Sequence, residues 1–326
     1  MTMPRLLCVL LNYRTAPMTL RAAEAALADL DPIAGAELVI VDNASGDGSY
    51  ETLRDEAAAR GWTAGNRVRV IASPVNGGFG AGNNVGIRAG MSDGGAPDFV
   101  YILNSDAFPD PGCIAALLDH LDRHPKAGIA GSHVRGEDDV PHCTAFRFPS
   151  IAGEFEGAAR TGIFSRLLKD AIVPMPIPTG PTRLDWTAGA SMMLRGTMLR
   201  EIGLFDETFF LYFEETDLCL RARRAGWETW YIPASRVVHI GSVSTGMKEW
   251  ARMPAYWFDS RRHYFVKNHG RLYAIAALAA RAAGVSIHRL RVALTGRKPE
   301  DPPRFLRDLI AHAATNPYRT PAEDKS

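Results

Sequence analysis

Phe99-Val100-Tyr101-Ile102-Leu103 is an apolar run that stops abruptly on Asn104-Ser105-Asp106. A run of this length without polar alternation reads as a strand buried on both faces, and the polar cluster marks where it leaves the core. The same signature occurs twice upstream. Leu6-Leu7-Cys8-Val9-Leu10-Leu11 ends on Asn12-Tyr13-Arg14, and Glu37-Leu38-Val39-Ile40-Val41 ends on Asp42. Val68–Ala72 is a further strand, and helical periods fill the gaps at Met18–Leu30, Asp47–Arg60 and Gly80–Ala89. This alternation predicts an α/β fold with a doubly wound, mixed but mostly parallel sheet. Ligands of such sheets sit beyond the carboxyl ends of the strands, so Asn12, Asp42, Asn76 and Asp106 are expected to share one site.

The order of the chain loosens between 135 and 182, where Pro141, Pro149, Pro174, Pro176, Pro178 and Pro181 interrupt any period. That stretch reads as a mobile segment flanking the site. Regular signals return at Ser191–Leu194 and Thr216–Ala225, with short strands at Trp230-Tyr231-Ile232 and Val237-Val238-His239. Residues 1–245 therefore form one expected domain. Residues 246–326 form a basic, mainly helical extension with a polar tail after Asn316.

Composition bounds the function. Hydrophobic residues at 46% and charged residues at 22% describe an ordinary globular chain with enough apolar material for a large core. The net charge of +1 conceals an imbalance: residues 1–240 carry 22 Lys+Arg against 29 Asp+Glu, and residues 241–326 carry 15 against 7. The C-terminal excess suits an anionic partner, with a membrane surface or a polyprenyl diphosphate favoured over nucleic acid. There Arg271, Arg281, Arg289 and Arg291 interleave with Leu272, Ile275, Leu278, Ile287 and Leu290, a pattern that fits an anionic membrane surface, packing on the catalytic domain or a homodimer contact. The apolar stretch from Leu272 to Gly284 is too short to span a bilayer. Cys8, Cys113, Cys143 and Cys219 are dispersed and form no CxxC pair, which fits a cytoplasmic chain and argues against a zinc ribbon or a disulfide framework.

Two stretches carry chemistry. Asn76-Gly77-Gly78-Phe79-Gly80-Ala81-Gly82-Asn83-Asn84 precedes a helix and looks like a phosphate loop, yet it contains neither GxGxxG nor GK[ST]. Its glycines suit close backbone approach to a ligand or tight packing of helix on strand. The second stretch holds Asp185-Trp186, Phe205-Asp206-Glu207 and Tyr212-Phe213-Glu214-Glu215-Thr216-Asp217. Adjacent acids among aromatics raise each other's proton affinity, which suits a general base; acids on the exposed first turn of a surface helix are the alternative.

In this order the motifs resemble family 2 glycosyltransferases of the GT-A fold, a Rossmann-like architecture, and among them bacterial rhamnosyltransferases of O-antigen and cell-wall assembly. The matching residues are Leu11-Asn12-Tyr13-Arg14, Val41-Asp42-Asn43-Ala44-Ser45, Asn76-Gly77-Gly78-Phe79, Gly82-Asn83-Asn84, Leu103-Asn104-Ser105-Asp106-Ala107, Trp186 to Ala190, Phe205-Asp206-Glu207, Tyr212 to Arg221, and His239. The resemblance implies inverting transfer from a nucleotide sugar, with dTDP-L-rhamnose as the expected donor and a glycan or lipid-linked glycan as acceptor. It implies nucleotide binding by Asn12, Tyr13, Arg14, Asp42, Asn76, Gly77, Asn83 and Ser105. Asp106 and His239 would hold Mg2+ or Mn2+, Asp185 and Trp186 would face the sugar and acceptor, and Glu215 would be the base, with Glu214 as second candidate. Two departures stand out: Asn104 begins the metal motif where Asp is common, and the paired acids read Glu-Glu where Glu-Asp is usual. The family's lipid-linked acceptors imply a place at the inner face of the plasma membrane.

Overall fold

The structure, a computed structural model, describes residues 4–241, 252–296 and 301–315. They divide into two compact units, one of residues 4–146, 176–210 and 214–241, and one of residues 147–175, 211–213, 252–296 and 301–315. The polar tail expected after Asn316 lies outside the described residues.

The first unit is built on a nine-stranded sheet. Strands β1 (Leu6–Asn12), β2 (Ala36–Asp42), β3 (Val68–Ala72) and β4 (Phe99–Asn104) run parallel in the spatial order β3-β2-β1-β4. Leu6, Leu7, Cys8, Val9 and Leu10 are all fully buried, so both faces of β1 are covered and the apolar run is explained. One face carries α1 (Ala16–Leu30), α2 (Ser49–Ala59) and α4 (Cys113–Arg123), whose Leu20, Leu53 and Leu117 join Leu10, Ile40 and Tyr101 in one core. The other carries α3 (Gly78–Ala89). A side chain at Gly86 would meet Val9 and Val41, so the glycine-rich run brings this helix close onto the sheet.

Beyond β4 the sheet becomes mixed. β5 (Ala107–Pro109), β6 (Ala127–Arg135), β10 (Ser191–Arg195) and β11 (Glu228–His239) extend the order to β4-β10-β6-β11-β5. β10 is antiparallel to both β4 and β6, β6 and β11 are parallel, and β5 is antiparallel to β11. β8 (Thr182–Leu184) pairs the free side of β11, while β7 (Ala145–Phe146) and β9 (Trp186–Thr187) form a separate ribbon. The two short strands expected at 230–232 and 237–239 are one strand. The register shift between Ile232 and Arg236, around Pro233, breaks its pattern.

The second unit corrects the reading of 135–182 as patternless. Residues 147–175 contain α5 (Ile151–Ala159) and α6 (Gly162–Leu167), with prolines only outside them. Ser150 caps α5 by accepting the Gly153 N–H, as Thr161 caps α6 through the Phe164 N–H. α5 packs on α10 (Arg271–Thr295), where Gly284 meets the Phe155 carbonyl and Ala158. α9 (Ala255–His269) and α11 (Phe305–Thr315) supply Phe258, Phe305 and Leu309 to the same core. Glu154 on α5 lies buried between Arg261 of α9, at 2.5 and 2.8 Å, and Arg281 of α10, at 3.3 Å. Burial pushes its carboxyl up, but the two guanidiniums outweigh that and hold it below the ordinary range.

Candidate active site

The carboxyl ends of β1, β2 and β4 lie in register, with Asn12 beside Asp42 and Leu11 beside Asn104. Three polar residues that follow unrelated apolar runs are thereby brought to one edge. Asp42 is 3% exposed and accepts from Asn12 Nδ2 at 2.7 Å, Ser45 Oγ at 2.5 Å and the Ser45 N–H at 3.1 Å. Asn12 in turn accepts from Thr19 Oγ1 at 2.6 Å and Thr15 Oγ1 at 3.2 Å, and Thr15 also reaches Ser105 Oγ at 3.2 Å. Arg14 is exposed, with φ 56°; its backbone N–H donates to Ser45 Oγ and its Nε to the Ser45 carbonyl. Its guanidinium lies 5.2 Å from the centroid of the Tyr13 ring. Asn12, Tyr13, Arg14, Asp42 and Ser105 thus form one cluster, held by Ser45, which the sequence shows only as the end of a matching motif, and by Thr15, which it does not single out. The spacing Asp42-x-x-Ser45 is the local signal for that turn.

Next to it, Asn43 Nδ2 donates to Asn76 Oδ1 and the Gly78 carbonyl, and the Gly78 N–H donates back to Asn76 Oδ1. Gly77 and Gly78 therefore lie in a loop braced by Asn76. Gly78 has φ 88°, and a β-carbon there would collide with the Phe210 carbonyl, so no other residue type fits. Asn83 departs from its expected place: it is fully buried inside α3 and donates to the Phe79 carbonyl of its own helix. Asn84, one residue on, accepts the Phe205 N–H and donates to the Phe205 carbonyl and Glu207, fixing the Phe205-Asp206-Glu207 loop.

Glu214 and Glu215 open α8 (Glu214–Arg224), and this is no surface helix: Glu214 is 2% and Asp217 0% exposed. The residues just before it, Tyr212 and Phe213, both have φ 70°, a left-handed conformation that bulky side chains rarely adopt. Such strain persists where surroundings over-determine it, typically at functional positions. Glu214 packs against Gly80, whose missing side chain would lie 3.6 Å from the Glu214 β-carbon. Burial, followed by the neighbouring Glu215, drives the Glu214 carboxyl well above the ordinary range. Burial pushes Glu215 up to about 7, against the Gly189 N–H that bonds its carboxylate. Oε2 of each has no hydrogen-bond partner among the described residues.

The segment before β10 runs antiparallel along α8. Asp185 pairs with Arg223 at 2.8 Å, the Thr187 backbone reaches Cys219, and the Gly189 N–H reaches Glu215. Two strand residues advance about as far as four helical ones, which sets this match. Phe79 packs its ring edge against Gly189, whose β-carbon would sit 2.8 Å from Cζ. Ala190 then accepts the Asn104 N–H at 3.0 Å, so Gly189-Ala190 joins the base candidate to the end of β4. The Asp185 carboxylate lies on Arg223, whose backbone is eight residues, about 12 Å, along α8 from Glu215. Trp186, on the opposite side of its strand, stacks on Phe146 at 4.1 Å.

At the other side of β4, Asp106 is 4% exposed and its Oδ1 lies 3.0 Å from His239 Nε2. Pairing of β11 with β5 places His239 opposite Ala107, which is why residues so distant in sequence meet. Asn104 Nδ2 lies 3.5 Å from the same ring nitrogen. Among the described residues no three His, Cys, Asp or Glu side chains converge as a metal cluster. A carboxylate and an imidazole at this separation are nevertheless donors that Mg2+ or Mn2+ accepts when phosphate oxygens complete the shell.

Comparison with known proteins gives matches to the sequence and to the fold. The model of glycosyl transferase family 2 matches residues 8–173, and that of glycosyl transferase family group 2 matches residues 99–280. The chain is 30% identical to the N-acetylglucosaminyl-diphospho-decaprenol L-rhamnosyltransferase of Mycobacterium tuberculosis, over 69% of this chain and 75% of that protein. It is 26% identical to rhamnosyltransferase WbbL of Escherichia coli, over 50% of this chain and 60% of the relative. Among solved structures, the mannosyltransferase PcManGT from Pyrobaculum calidifontis, in complex with GDP-Man and Mn2+, superposes with a TM-score of 0.58 at 16% identity, covering 98% of this chain and 83% of that one. TarS of S. aureus gives 0.54 at 14% identity, covering 96% and 49%. These structural likenesses show the fold, which is GT-A.

Proposed function

The chain belongs to glycosyl transferase family 2, and from that premise we propose that it transfers L-rhamnose from dTDP-L-rhamnose to a hydroxyl of a lipid-linked glycan, with inversion and with Glu215 as base. The observation that carries the mechanism is the adjacent pair of Glu214, buried, and Glu215, half-buried with its Oε2 shielded from solvent. A base works best when its proton affinity is matched to the working pH, and Glu215, pushed up to about 7, meets that condition. Glu214, driven higher, keeps its proton, so the pair holds one negative charge near neutrality.

In the proposed reaction the acceptor oxygen attacks the anomeric carbon on the face opposite the diphosphate. Glu215 takes the hydroxyl proton as the new bond forms. The bond between the anomeric carbon and the diphosphate oxygen breaks, and its electron pair leaves with the nucleoside diphosphate. Asn12, Tyr13, Arg14, Asp42, Asn76, Gly77 and Ser105 orient the nucleotide at the strand ends. Asp106 and His239 would hold a divalent cation, which when bound would supply positive charge for the departing diphosphate. Trp186 offers an aromatic face to sugar or acceptor. The rhamnose assignment and the lipid-linked acceptor rest on the likeness to the mycobacterial decaprenol-linked enzyme and to WbbL.

The test is a panel of nucleotide sugars assayed for thermal stabilisation and for transfer to a polyprenyl-diphospho-sugar acceptor. A ligand that binds only the folded chain raises its stability by mass action. Stabilisation and turnover selective for dTDP-rhamnose support the donor assignment, and selectivity for UDP- or GDP-sugars overturns it. Glu215→Gln is expected to lower transfer by about 10²–10⁴-fold while the donor still binds.

A further inference from the structure

The helix α10 has a second face that the fold leaves bare. Ala274, Ala277, Gly284, Val285, His288 and Val292 point inward and are buried. On the opposite side Leu272, Ile275, Ala279, Ala283, Leu290 and Leu294 are exposed, Leu272 by 85% and Leu294 by 79%. At 100° per residue these six fall within one sector along a helix of about 37 Å, interrupted by Ser286, whose hydroxyl donates to the Ala282 carbonyl of its own helix. The stripe holds no charged side chain, and Arg271 and Arg289 border one of its sides while Arg291 borders the other. Among the described residues eleven large hydrophobic side chains are exposed, and seven of them lie in the second unit. A bare stripe of this extent marks an interaction surface.

We propose that this face of α10 lies on an anionic phospholipid surface, with the stripe among the upper acyl chains and the bordering arginines at the headgroups. Charge decides the partner. α10 contains no Asp or Glu; of the seven Arg and Lys on α9 and α10, Arg261 and Arg281 are taken up by Glu154, and the other five stand against the single Asp259. The same face of a second copy, meeting this one about a two-fold axis, would bring arginine to arginine with no counter-charge, whereas anionic headgroups provide it along the whole helix. No helix among the described residues is long and apolar enough to cross a membrane, so the contact is one of lying on the surface. This inference stands on the helix alone and does not depend on the donor, acceptor or base proposed above.

The experiment is co-sedimentation of the full chain with vesicles of phosphatidylcholine alone and with vesicles containing phosphatidylglycerol in equal part. Binding is expected to the anionic vesicles only and to weaken as salt is raised. Arg289→Gln should lower the partition about fivefold. The triple variant Leu272→Gln, Leu290→Gln, Leu294→Gln should lower it by more than about tenfold, with an unchanged thermal transition because these side chains are exposed. Val75→Gln with Val140→Gln, exposed apolar residues of the first unit, should leave it unaltered. No vesicle binding by the wild type, or binding that survives the triple variant, overturns the proposal. So does a concentration-dependent dimer in light scattering that the triple variant abolishes, which would assign the face to a second copy.

Discussion

Glu215→Gln should make the protein more stable at about pH 8 and leave its stability almost unchanged at about pH 4, below both proton affinities of the carboxyl. The carboxyl of Glu215 is raised from 4.5 to about 7 chiefly by burial. Between those values the folded chain holds a proton that the unfolded chain has released, so stability falls as pH rises through that window. At about 1.4 kcal/mol per pH unit, the ionised group costs the folded state about 3 kcal/mol above neutrality. Glutamine is nearly isosteric and its oxygen can still accept the Gly189 N–H, so the substitution removes the charge and little else. Differential scanning calorimetry at the two pH values measures the difference, expected as a rise of several degrees at the higher pH, about 2–4 °C per kcal/mol for a unit of this size. A variant that is equally altered at both pH values, or less stable than wild type at the higher one, would refute the claim that an ionisable Glu215 is held at a cost.

Gly78→Ala places a methyl group against the Phe210 carbonyl at a left-handed backbone position, and should lower unfolding stability by about 2–4 kcal/mol, measured by urea titration. Glu154→Ala leaves Arg261 buried without its carboxylate and should cost about 3–5 kcal/mol, seen as early loss of the second unit in limited proteolysis. Asp106→Ala and His239→Ala should each abolish the extra thermal stabilisation that Mn2+ gives in the presence of a nucleoside diphosphate, while the metal-free melting temperature moves little. Chelation of wild-type protein should suppress transfer, and added Mn2+ or Mg2+ should restore it.

The parallel half of the sheet was legible because strands covered on both faces must be apolar throughout, and Leu6–Leu11 and Phe99–Leu103 are. Their polar successors at Asn12, Asp42 and Asn104 follow for the same reason: the chain leaves the core there. What lay beyond reading depends on tertiary register. β5, β7 and β9 are two or three residues long and carry no period, and α5 is a short Ala- and Gly-containing helix bracketed by prolines. The commitment of Asp185 to Arg223 could not be anticipated, because it follows from how the strand aligns along α8. Asn83 and Asn84 look alike in sequence, yet one faces its own helix and the other clamps the Phe205 loop. Of the glycines read as a phosphate loop, Gly78, Gly80 and Gly82 are taken up by close packing against Phe210, Phe205 and Leu11.

The central claim is that Glu215 is the base whose burial sets the working pH. Its most direct measurement is kcat/KM for sugar transfer across pH at saturating metal, for wild type and for Glu215→Gln. The account predicts an acid limb in the wild type centred near pH 7, falling about tenfold per pH unit below it, and residual activity without that limb in the variant. A limb at the ordinary carboxylate range, or one that survives in Glu215→Gln, would contradict it.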